Sequence, residues 1–276
     1  MDVRYSTNPA EARGYDTAQL RQHYLVEDVF VPGELRLTYS HDDRVVLGGA
    51  VPGTEPLRLE SDDTLRTDHF CERRELAAFC VDGRGAVVCD GTAYELERGD
   101  LAYIGRGTRE VSFTSADPAA PGRFYLASAP AHQDLPTTLV HAKDVTPVEL
   151  GAANTSNERT IRRYIDGTLV ESCQLMMGWT QLAPGSVWNT MPAHTHLRRT
   201  ECYFYFDLDQ DARLVHLLGE PDETRHLIVR NEQAVISPSW SIHSGAATGS
   251  YSFIWFMAGE NYRFDDMDHV AMTDLR

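Results

Sequence analysis

The chain has 276 residues, 42% hydrophobic and 24% charged, with 41 acidic and 25 basic side chains and a formal net charge of −16. This is an ordinary globular mix, long enough for one large domain or two of usual size. The acidity argues against a nucleic-acid partner, because phosphate binding needs clustered Lys and Arg and no basic run occurs. The first twenty residues lack the apolar core of a signal peptide. The longest largely apolar run, residues 251–258, is too short to span a bilayer. A cytoplasmic protein with no membrane partner is the resulting expectation.

In chain order, the first convincing element is a helix beginning near Asp16 or Thr17, either of which suits an N-cap. Its apolar positions are Leu20, Tyr24 and Leu25. From residue 34 the texture changes to short runs of Val, Ile, Tyr, Phe and Thr between Gly, Pro and Asp clusters. Strands are predicted at 35–39, 44–47, 76–81, 86–89, 101–104 and 110–114, with turns at Asp82-Gly83, Asp90-Gly91 and Arg106-Gly107. Strands this short at about ten-residue spacing mark an all-β sandwich or barrel. Residues 129–151, rich in Pro and Thr, read as a connection. A second strand series is predicted at 172–177, 179–182, 201–206, 213–218, 225–229, 234–237 and 251–257. The division expected is 1–130 and 131–276, tightly packed as effectively one unit.

The five cysteines, Cys71, Cys80, Cys89, Cys173 and Cys202, are odd in number and contain no CxxC pair. They predict reduced, buried thiols and no thiolate zinc site.

The halves also resemble each other. Glu72-Arg-Arg-Glu-Leu-Ala-Ala-Phe79 matches Leu197-Arg-Arg-Thr-Glu-Cys-Tyr-Phe204, and Gly105–Glu110 matches Pro238-Ser-Trp-Ser-Ile-His243. In that alignment His69 falls opposite His194, but Cys71 replaces His196 and Leu76 replaces Glu201. A single imidazole without partners makes a poor site, so no metal is expected in the first half.

The informative segment is Met191-Pro-Ala-His-Thr-His-Leu-Arg-Arg-Thr-Glu-Cys-Tyr-Phe-Tyr-Phe206. Residues two apart on a strand share a face, so His194 and His196 point the same way. A turn can fold Glu201 back onto them, with Tyr203 and Tyr205 on the same face as Glu201. His243 follows a Pro238 turn at the end of another strand. Three imidazoles and one carboxylate suit a borderline divalent ion while leaving room for a ligand.

His-x-His, four residues, Glu, and a later Pro-x-x-x-x-His resemble the two cupin motifs. The chain departs from them at Trp240, where cupins usually have Gly, at Ala247, where they often have Asn, and at a displaced Gly185. Longer phrases are similar to the 5-keto-4-deoxyuronate isomerase family. These are Trp188–His196, Asn231–Gly245, residues 259–270, the opening Met-Asp-Val-Arg, and Phe70-Cys-Glu-Arg-Arg-Glu-Leu76. The resemblance runs from end to end. It implies a bicupin of two jelly-roll barrels with a short N-terminal helix. It also implies zinc held by His194, His196, Glu201 and His243, and a homohexamer. The implied reaction is ketol-isomerisation of a uronate released in pectin degradation.

Such a reaction moves a proton between C1 and C2 and needs a general base. The sequence leaves that base open. Glu201 suits the role of ligand better, and Tyr203 and Tyr205 are candidates to line the pocket. The substrate's carboxylate calls for an arginine, with Arg162, Arg163, Arg198 and Arg199 as candidates. Residues 264–269 are a candidate support for a ligand histidine. The ligand set also fits an Fe(II) cupin oxygenase. A non-catalytic sugar-acid-binding cupin is a third reading, weakened by the lack of a helix-turn-helix segment or basic patch.

Overall fold

The computed structural model describes all 276 residues. The protein is all-β apart from two short helices, Pro9–Ala12 and Thr17–Tyr24, and a few 3₁₀ turns. The second helix starts with a reciprocal capping box. Gln19 N donates to the Asp16 side chain, and Asp16 N donates to the Gln19 side chain. Leu20 and Tyr24, four apart, are its buried residues. No helix is long and apolar enough to cross a membrane.

The chain forms two compact units. One comprises Met1–Val3, Asp28–Val145 and Tyr164–Leu175; the other comprises Arg4–Glu27, Thr146–Arg163 and Met176–Arg276. The division therefore does not fall at one point along the chain, and the capped helix belongs with the second unit.

Each unit is built mainly from one seven-stranded and one four-stranded antiparallel sheet. In the first seven-stranded sheet the order is Asp2–Arg4, Leu35–Ser40, Val46–Ala50, Arg123–Pro130, Arg74–Asp82, Leu101–Ile104 and Thr138–Val140. In the second it is Pro147–Leu150, Arg159–Ile165, Met176–Leu182, Ser252–Gly259, Arg199–Phe206, Gln233–Ser237 and Leu25–Val26. The two orders correspond place for place, and the register preserves the repeat seen in the sequence. Leu76 sits opposite Ile104, and Glu201 sits opposite Ser237.

Two predicted strands, 172–177 and 179–182, are one strand, Met176–Leu182. Gly178 looks like a break but lies mid-strand because the Trp255 ring packs on its backbone, where a Cβ would meet Cζ2 at 2.1 Å. Residues 172–175 are not strand. The amides of Cys173, Gln174 and Leu175 donate instead to the Glu75 carboxylate at 2.7, 2.7 and 2.8 Å. Residues 129–151 are more than a connection, since they contain the strands Thr138–Val140 and Pro147–Leu150. The strand Arg159–Ile165, absent from the sequence reading, follows them.

Candidate metal centre

The site belongs to the second unit. The strand Arg199–Phe206 lies between Ser252–Gly259 and Gln233–Ser237, with Glu201 opposite Met257 on one side and Ser237 on the other. Alternation along these strands turns Glu201, Tyr203, Trp255 and Met257 to one face. A tight turn, closed by Arg199 N donating to His196 O at 3.1 Å, folds the His194–His196 segment back onto that face. His243 is delivered from another direction. The chain leaves Ser237, turns at Pro238–Ser241, and is held by Ile242 N donating to Gly219 O at 2.9 Å.

All four side chains are buried, and one potential ligand atom from each lies within 4.8 Å of the others. His243 Nε2 is 3.0 Å from His194 Nε2 and 3.1 Å from Glu201 Oε2, while His196 Nε2 is 2.8 Å from the same carboxylate oxygen. His196 Nδ1 donates to the carbonyl of Arg199 at 2.9 Å, which places the lone pair of the neutral ring on Nε2, facing Glu201. Burial first, and then the neighbouring His243, lowers the His194 pKa to about 2, so this ring is a neutral donor. Burial acts to raise the Glu201 carboxyl. The facing His243 and the adjacent His196 outweigh it and hold the group well below the usual carboxylate range.

Four lone-pair donors thus converge, three of their spacings between 2.8 and 3.1 Å and all within 4.8 Å. Ligands about 2.1 Å from one shared cation have such spacings. The cluster could hold a divalent metal ion, and the donor set of three imidazoles and a carboxylate suits a borderline one. The equivalent positions of the first unit do not form such a group, because Cys71 and Leu76 lie in its hydrophobic core.

A cavity of about 240 Å³ opens beside the cluster, with His194 and Glu201 in its wall. Most of the wall is apolar and includes Ile161, Phe253, Trp255, Met257, Phe264 and Met267. The polar lining includes Arg159, Thr180, Asn189, Thr190, Tyr203 and His269. The Tyr203 hydroxyl pairs with Thr190 Oγ1 at 2.9 Å, and its ring stands edge-on to His243. Burial, followed by the nearby Glu201 charge, raises the Tyr203 pKa well above that of a free phenol. Tyr205 is a core residue outside the cavity wall. Its hydroxyl lies 2.7 Å from Nδ1 of His216, a ring kept neutral by burial with a pKa of about 3.

The four arginines nominated from the sequence are not among the cavity-lining residues. Arg162 points to the opposite face of its strand and lies over Trp179 at 5.1 Å. The exposed Arg163 lies over Phe264 at 5.1 Å. Arg198 pairs with Asp266 and Asp268. Arg199, 1% exposed, donates to the carbonyls of Arg263, Phe264 and Asp266. Together Arg198 and Arg199 clamp the C-terminal segment, whose Phe264, Met267 and His269 cover the cavity. That segment also pairs directly with the first imidazole's strand, His194 opposite His269 and Thr195 opposite Asp268. The arginine that does reach the cavity is Arg159, which no sequence motif marks.

The family model described as KduI/IolB family matches residues 24–272. The chain is 52% identical, over the full length of both chains, to the 4-deoxy-L-threo-5-hexosulose-uronate ketol-isomerases of Halalkalibacterium halodurans and Escherichia coli O8. Among solved structures it resembles an IolB-like protein from Salmonella typhimurium, with a TM-score of 0.71 and 17% identity, covering 90% of this chain and 96% of that one. It also resembles the Bacillus subtilis oxalate decarboxylase, with a TM-score of 0.60 and 12% identity, covering 89% and 79%. The two structural likenesses speak to the fold alone. With most of its length matched by the family model and half its residues shared with relatives of equal size, the chain belongs to the KduI/IolB family.

Proposed function

We propose that the protein is a metal-dependent ketol-isomerase converting 4-deoxy-L-threo-5-hexosulose uronate to 3-deoxy-D-glycero-2,5-hexodiulosonate. The observation that carries this reading is the buried cluster of three imidazoles and a carboxylate opening on a sugar-sized cavity, in a chain 52% identical to isomerases so named. His194, His196, Glu201 and His243 are its metal ligands, and zinc is the ion that the resemblance to the isomerase family implies, among the borderline ions this donor set suits. A divalent ion held there would supply Lewis acidity to stabilise the negative charge that builds up as the proton moves between C1 and C2.

The protein's own groups do the rest. The Arg199 carbonyl keeps the His196 ring in one tautomer. Phe253, Trp255, Met257 and Phe264 exclude water from the reacting carbons and strengthen local electrostatics. Tyr203 is the phenol placed at the cavity wall beside Glu201, where it can hydrogen-bond a sugar oxygen. Like any phenol it is protonated in the neutral range, and burial raises its pKa further.

We also read each pair of seven- and four-stranded sheets as one jelly-roll barrel, making the chain a bicupin with one metal site, in the second barrel. A cytoplasmic homohexamer acting on uronates released from pectin completes the proposal. Its support is the end-to-end resemblance to the isomerase family.

The direct test is to incubate the metal-loaded protein with the uronate in D₂O and follow the C1 and C2 protons by NMR. Deuterium incorporation and appearance of the 2,5-diulosonate are expected. An inert substrate in the presence of fully loaded protein would overturn the proposal.

A further inference from the structure

Arg159 is the only Arg or Lys in the wall of the cavity. It opens the strand Arg159–Ile165, and alternation puts it on the same face as the cavity residue Ile161, with Arg162 on the other face. No carboxylate of the chain pairs with it. One terminal nitrogen donates to the Asn157 carbonyl at 3.0 Å, while Nε is buried with no partner. Arg162 and Arg163 lie over rings, and Arg198 and Arg199 are engaged by carboxylates or carbonyls outside the cavity, although Arg162 and Arg199 also keep one buried nitrogen without a partner. A half-buried guanidinium in the apolar wall of a cavity, with no carboxylate of the chain beside it, suits a carboxylate brought by the ligand.

We propose that Arg159 anchors the carboxylate of the substrate. This rests on the isomerase reading above. The uronate's carboxylate, C6, is at the opposite end of the carbon chain from C1 and C2, so a molecule held by its acid end at Arg159 lies along the cavity with its reacting carbons toward His194 and Glu201. The same contact selects hexuronates over neutral sugars of equal length. An apolar wall alone gives little such selectivity, whereas a group built to pair with charge rejects the uncharged analogue strongly.

The test is Arg159→Met, with Arg162→Met as the comparison. For the uronate, R159M is expected to raise KM about 100-fold with kcat changed only a few-fold and bound metal unchanged, while R162M leaves KM within about threefold. Arg159→Lys, which keeps the charge and loses the fork, is expected to fall between and provides the reading if R159M does not fold. An unchanged KM in R159M or R159K overturns the anchor. So does a loss confined to kcat.

A second measurement is independent of turnover. Saturation-transfer NMR with D-galacturonate and D-galactose is expected to show wild-type protein favouring the acid and R159M showing no preference. Equal signals from the two sugars in wild type, or a preference that survives in R159M, overturn the inference. If wild type fails to turn over the uronate yet favours galacturonate through Arg159, the isomerase reading fails while the anchor stands.

Discussion

His196 Nδ1 donates to the backbone carbonyl of Arg199, and the same Arg199 sends its guanidinium to three carbonyls of the C-terminal segment. One residue therefore sets the orientation of an imidazole in the cluster and holds down the cover of the cavity.

Replacing Arg199 with Met removes the clamp while leaving its backbone carbonyl in place. The loss of several charge-assisted hydrogen bonds from a buried group is expected to cost about 3 kcal/mol. Thermal unfolding should show the lower Tm. Hydrogen exchange should show residues 263–269 opening faster, with bound metal retained.

Tyr203 and Tyr205 are two apart, both fully buried phenols, and are expected to behave differently. Tyr203→Phe removes a hydroxyl from the cavity wall and should lower kcat about tenfold or more with little change in stability. Tyr205→Phe leaves His216 Nδ1 without its partner at 2.7 Å. It should cost about 1–3 kcal/mol of stability with turnover largely kept. Steady-state kinetics and denaturant melts on both variants check the contrast.

In the first unit, Glu75 is completely buried and accepts from three consecutive amides and from the Tyr103 hydroxyl at 2.7 Å. Glu75→Leu strands those donors and is expected to destabilise the protein by about 3–5 kcal/mol. Urea unfolding measures it, and an unchanged midpoint would contradict this role.

The cysteines are free and buried, with Cys80 and Cys89 pushed up to about 12, chiefly by burial. A raised thiol pKa keeps the nucleophilic thiolate scarce, so native-state labelling by a disulfide reagent should stay slow throughout pH 7 to 9, with a rate that still climbs about tenfold per pH unit and shows no levelling. An ordinary exposed thiol would react far faster and its rate would level off as the pH passes its pKa of about 8.5. In guanidinium all five should react.

Much of this was legible in the sequence where local chemistry dictates the outcome. Asp16 announces the helix as one of two adjacent N-cap candidates, and the His-x-His spacing announces two donors on one face. The alignment of Leu76 with Glu201 survives as a shared place in two like-ordered sheets. Gly178 misled because glycine breaks strands in isolation, whereas here the Trp255 ring needs the missing Cβ. Residues 172–175 suit a strand by pattern, while a carboxylate 98 to 100 positions away in sequence captures the amides of Cys173, Gln174 and Leu175. Arg159 was invisible because its significance is wholly tertiary: an arginine is marked only by what surrounds it, and its neighbours come from six separated segments. The arginines beside the metal motif drew notice by proximity in sequence, and they serve the cover of the cavity.

The central claim is that His194, His196, Glu201 and His243 together hold the ion on which turnover depends. Metal content and isomerase rate measured on the same preparations of wild type, His194→Ala and His243→Ala test it most directly. The expected result is one divalent ion per chain in wild type, with ion and turnover lost together in both variants, and their folds retained by circular dichroism. Turnover persisting in a folded, metal-free variant would contradict it.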